Sequence, residues 1–120
     1  MRVLLPFFIL VFLSMAAQAG EKKLHVGETW CRVCGGGHAN ELFGSAARQV
    51  NYCENMLFGA YQMHQGFARK TKKPLFCAPE EVPGAVLRQA YLDLCRDRAD
   101  VPLHASDAVV EALARAYPCK

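Results

Sequence analysis

The chain has 120 residues, 14 Lys and Arg against 11 Asp and Glu, a formal net charge of +3 and 52% hydrophobic residues. That supports one modest core and excludes a large multidomain protein. The weak positive balance lacks a dense stripe of Lys and Arg, which excludes a nucleic-acid binder.

Arg2 opens a short positive region, and Val3 to Leu13 is almost wholly apolar. Ser14 to Ala19 closes the segment with small residues, and Ala17-Gln18-Ala19 fits the A-x-A rule. This order predicts a secretory signal peptide over residues 1–19, cleaved after Ala19. The apolar run is too short for a spanning helix, which needs roughly 20 residues. The mature chain, Gly20 to Lys120, is therefore expected in the periplasm, with no membrane attachment after cleavage.

Gly20 to Thr29 reads as a loose lead-in. Trp30 to Gly37, WCRVCGGG, reads as a tight turn, because each glycine loses about 1 kcal/mol to alanine in a helix. Together they make a Cys-x-x-Cys lead-in over residues 20–38, ahead of a helical domain over 39–120. A first short helix is expected from Ala39 to Val50, and a second from Tyr52 to Phe67. In the second, Cys53, Met56, Leu57, Ala60, His64 and Phe67 form an i, i+3, i+4 stripe, and Gly66 stands where a terminator should. Ala68 to Pro79 is a connection that begins with a basic run. The third helix starts around Pro83, buries Val86, Leu87, Ala90, Tyr91 and Leu94, and ends near Cys95 to Arg98. Glu80 and Glu81 precede it and suit its positive end. After a link from Arg96 to Leu103, Ser106 is the expected N-cap of the last helix, which buries Val109, Val110, Leu113, Ala116 and Tyr117. No segment alternates as a strand does. The expected fold class is all-α, a small bundle of four to five helices cross-linked by disulfides.

The mature part holds six cysteines, Cys31, Cys34, Cys53, Cys77, Cys95 and Cys119. An even number in an exported chain of this size reads as a disulfide framework whose pairing stays open. If Cys77 and Cys119 paired, the loop of about 42 residues would contribute ~4 kcal/mol by chain entropy.

Trp30-Cys31-Arg32-Val33-Cys34 looks like a thiol redox site, but glycines follow where the activating helix should begin, and no βαβ pattern surrounds it. Cys31, Cys34 and His38 with a distant cysteine would make a weak zinc set. A c-type haem needs His after the second cysteine, where Gly35 stands. His64 lies on the apolar stripe and reads as a hydrogen-bonded histidine at the core edge. Glu80-Glu81 and Asp97/Asp100 sit at helix ends, where capping accounts for them. No nucleophile, phosphate loop or carboxylate pair points to an enzyme, and no cofactor or metal is expected. Arg69, Lys70, Lys72 and Lys73 read first as a solvated run, and secondly as a surface that could meet an acidic partner.

The second half carries a family pattern. Cys53 is followed by Phe58-Gly59, then Cys77-Ala78-Pro79, a helix with Gln89 and Tyr91, Pro102, and an ending with Ala105, Val109, Glu111-Ala112-Leu113-Ala114-Arg115-Ala116 and Tyr117-Pro118-Cys119. With Asn40-Glu41-Leu42-Phe43, this resembles the Rap/Tai family of periplasmic immunity proteins of bacterial type VI secretion, over residues 39 to 119. Cys53, Cys77 and Cys119 match the family's cysteines. The family's cysteine near Ala46 is missing, while Cys31, Cys34 and Cys95 are extra, so a rewired disulfide map is expected. The resemblance implies a helical, disulfide-bonded toxin inhibitor that binds and occludes a peptidoglycan amidase effector, and it implies a homodimer. Candidate contact residues are Arg69, Lys70, Lys72 and Lys73, within exposed links at 68–76 and 96–104. The alternatives are a periplasmic helical stress chaperone, and a redox protein using Cys31 and Cys34.

Overall fold

The computed structural model describes residues 24–38 and 44–120. The expected signal peptide and the start of the expected first helix, residues 39–43, lie outside the described residues. The described residues form four α-helices: α1 (Val26–Cys34), α2 (Ala46–Thr71), α3 (Gly84–Cys95) and α4 (Ala105–Ala116). A 3-10 turn, Arg98–Asp100, links the last two, and the described residues contain no strand. The fold is thus a small all-α bundle, cross-linked by disulfides as its cysteines predict.

Helix α1 corrects the expectation of a loose lead-in and a glycine turn. His25 caps it, Nδ1 accepting from the Glu28 N–H at 3.0 Å. Glu28 suits the positive first turn. The helix runs through both cysteines and stops only at the glycines, where Gly36 takes a positive φ of 74°. Its buried residues are Gly27, Cys31, Val33 and Cys34, of which Gly27, Cys31 and Cys34 fall at i, i+4, i+7. Gly27 is required there: a Cβ would lie 2.0 Å from the Pro102 carbonyl oxygen. The Gly27 N–H donates to the Leu103 carbonyl at 3.0 Å, and its carbonyl accepts from the Tyr91 hydroxyl at 2.7 Å.

Helix α2 corrects a second expectation. Ala46 to Thr71 is one unbroken helix of 26 residues, not two helices parted near Asn51. Ser45 caps it, and Lys72 ends it in the left-handed region with φ 59°. Gly66 lies within it and does not terminate it. The buried stripe, Gln49, Cys53, Leu57, Tyr61 and His64, repeats at helical spacing throughout. Buried Gln49 clips the chain after α1, its amide exchanging hydrogen bonds with the His38 backbone at 2.8 and 2.9 Å.

Helix α3 begins after Pro83, as expected. It touches the other three helices. Leu87, Tyr91 and Leu94 are buried in the core with Leu57 and Tyr61 of α2 and Val109 and Leu113 of α4. Arg88 reaches the Cys34 carbonyl at 3.1 Å and Glu54 at 3.4 Å, placing a cation at the negative end of α1. Helix α4 starts two residues earlier than expected: His104, not Ser106, is its N-cap, and it makes no side-chain cap bond. The burial of Ala108, Val109, Ala112 and Leu113 fixes the helix without one.

All six cysteines are bonded, Cys31–Cys95, Cys34–Cys53 and Cys77–Cys119. The first closes a separation of 64 residues and the second one of 19. Chain entropy assigns them about 4 and about 3 kcal/mol. Replacing Cys31 and Cys95 by Ala should therefore lower the urea midpoint more than replacing Cys34 and Cys53.

A second expectation concerns alkali. Burial pushes the Tyr91 phenol up to about 12, against a smaller opposing effect of Arg98. An unfolded phenol titrates near ~10. The folded state keeps its proton longer, so this part of the stability is complete below the unfolded value and is lost as pH climbs from about 10 to about 12. Urea titrations across that range should show the fall, and Tyr91→Phe should flatten it. At neutral pH the same variant should cost about 1–2 kcal/mol, because the Gly27 carbonyl loses its donor.

Candidate partner-binding surface

Lys72 to Pro83 leaves the end of α2 and doubles back along it as a strap. The rungs run in reverse order. Leu75 meets His64, Ala78 and Pro79 meet Gln65 and Tyr61, and Gly84 comes up against Glu54. Each rung has a physical cause. The strap has no regular ladder of its own, so its backbone groups need partners from elsewhere.

The His64 Nε2 accepts from the Leu75 N–H at 2.9 Å, which puts the ring proton on Nδ1, 3.3 Å from the Gln65 Oε1. The ring stacks on buried Phe76, with centroids 3.7 Å apart. His64 is thus the hydrogen-bonded histidine that its place on the stripe predicts. The Tyr61 hydroxyl donates to the Pro79 carbonyl. Burial holds that hydroxyl's proton above the ordinary phenol value; Gln65 opposes the shift, and the Glu80 and Glu81 carboxylates add to it. Cys77 fixes the middle of the strap through Cys119 and through its N–H to the Tyr117 carbonyl at 2.8 Å.

The strap presents two charged ends. Arg69 and Lys70 belong to the last turn of α2, which corrects the expectation that they lie in a loop. Lys72 and Lys73 follow. All four are exposed, and the ion pairs among the described residues do not include them. Their place at the negative end of a long helix is itself stabilising. At the other end, Glu80 and Glu81 are exposed beside Phe58 and Gln62 of α2. Capping does not account for them, because α3 has no side-chain cap bond. Sequence reasoning missed this acidic corner. The available signal was Phe58 and Gln62, four apart and off the buried stripe of α2.

In the link at 96–104, residues 96–100 and His104 are exposed as expected, while three contacts tie it to the bundle. Val101 is buried, Leu103 accepts from Gly27, and Asp100 pairs with Arg115 at 3.3 Å. Asp97 caps the 3-10 turn through the Ala99 N–H at 3.1 Å. Nor do Cys31 and Cys34 form a redox couple: each is buried and bonded to a different helix. The other flank of α2 carries Met63 and Phe67, 79% and 53% exposed. Among the described residues no helix is long and apolar enough to cross a membrane.

The model of the family described as Rap1a immunity proteins matches residues 26–119. The match begins at the first residue of α1, so Cys31 and Cys34 fall inside the family span rather than ahead of it. No curated protein and no solved structure matches the chain.

His64→Ala should loosen the strap locally. Hydrogen exchange at the Leu75 amide should speed up by at least about tenfold, while amides in the middle of α3 keep their protection. Equal acceleration in both places would mean that His64 supports the whole fold instead.

Proposed function

The chain belongs to the Rap1a immunity protein family, and on that footing we propose that it guards the periplasm against a peptidoglycan amidase delivered by a type VI secretion system. The family match, which runs across all four helices and all six cysteines, carries the reading. In it the protein is a binding partner and not an enzyme: it covers the amidase cleft and keeps substrate out.

Three features support the reading. The signal-peptide pattern of residues 1–19 directs the chain to the compartment where cell-wall hydrolases act. Disulfides form and persist there. The strap between α2 and α3 gives a charged, exposed surface on a rigid base, and rigidity limits the entropy lost on binding. Arg69, Lys70, Lys72 and Lys73 form its basic end and would meet an acidic patch on the effector.

The test uses a purified type VI peptidoglycan amidase. The protein should bind it and suppress its release of peptide from isolated cell wall. Reversing Lys70, Lys72 and Lys73 together to Glu should slow association and weaken binding by about tenfold at low salt, and the difference should shrink as salt rises. Unchanged affinity would remove the basic end from the interface.

A further inference from the structure

At the acidic end of the strap, Phe58, Gln62, Glu80, Glu81, Val82 and Pro83 line an open hollow of about 510 Å³. One water takes roughly 30 Å³ of liquid, so a whole long side chain fits. The base is apolar: Val82 is buried, and Phe58 leaves 45% of its surface uncovered. The rim is anionic. Glu80 and Glu81 are exposed, and the four ion pairs among the described residues use neither. Glu80 and Glu81 both line this hollow, and both add to the upward shift of the Tyr61 hydroxyl.

An aromatic face beside two uncompensated carboxylates complements one kind of group, a cation on a long apolar stem. A guanidinium fits best, since it stacks on a ring and forks onto carboxylate oxygens. We propose that this hollow seats an arginine of the effector protein, its stem against Phe58 and Val82 and its charge between Glu80 and Glu81. The identity of the partner rests on the immunity reading. The peptides of the cell wall carry carboxylates, so a cleft that holds them presents cations, and Glu80 and Glu81 meet those cations as substrate would. With an acidic end in the cleft and a basic end outside it, the strap docks in one orientation only.

N-acetyl-arginine amide is the direct probe, titrated into the full protein while NMR follows Phe58, Gln62 and Val82. Saturable shifts confined to those residues are expected, with none from N-acetyl-glutamate amide. Binding should weaken about fivefold in E80Q/E81Q, in line with two exposed charge contacts. Shifts spread elsewhere, or an unchanged response in the variant, would overturn the assignment. Calorimetry with that amidase separates the two readings. If the wild type binds and E80Q/E81Q binds equally well, the hollow is not the contact. If the wild type fails to bind the amidase, the immunity reading falls, and the arginine titration decides the hollow by itself.

Discussion

Two disulfides leave the same face of α1 and run to different helices. Cys31 reaches Cys95 at the end of α3, and Cys34 reaches Cys53 in the second turn of α2. A helix of nine residues is too short to persist alone in water. Here it persists because its buried face is covalently fixed, and because Gly27 lets its first turn lie against Pro102. The rest of the bundle depends on this arrangement. Without α1, the facing sides of α2 and α3 would lose their common partner, and Arg88 would lose the carbonyl it caps.

The helices most legible in the sequence are those with aliphatic stripes. Leu87, Ala90, Tyr91 and Leu94 mark α3 plainly, and the parity of the cysteines marks the disulfides. Helix α1 was hidden because Val33 is the one aliphatic among its buried residues, beside Gly27, Cys31 and Cys34. Glycine counts against a helix in any propensity scale, yet here it makes room for a backbone. The continuity of α2 was hidden for a related reason. Its first turns bury Gln49, a polar residue satisfied by the His38 backbone, so periodicity of apolar residues alone finds a gap. The start of α4 was misplaced because tertiary burial, and not a side-chain cap, decides it.

The surface was harder to read than the core. The basic run from Arg69 to Lys73 is visible in one dimension. The acidic corner is not, since Phe58 and Gln62 lie more than 15 positions before Glu80 and Glu81 in the chain. Only the doubling back of the strap brings them together. His64, Tyr61 and Gln65 fix that path, and so three buried or half-buried side chains of α2 determine which charges face outward.

The order of the three disulfides along the chain has a further consequence. The bridge from Cys34 to Cys53 lies inside the span from Cys31 to Cys95, and the bridge from Cys77 to Cys119 overlaps its end. Every peptide bond between Cys31 and Cys119 is therefore enclosed by at least one covalent ring. A protease that cuts the exposed strap once, anywhere along it, leaves a nicked but undivided molecule. A single cut there cannot release any helix of the bundle.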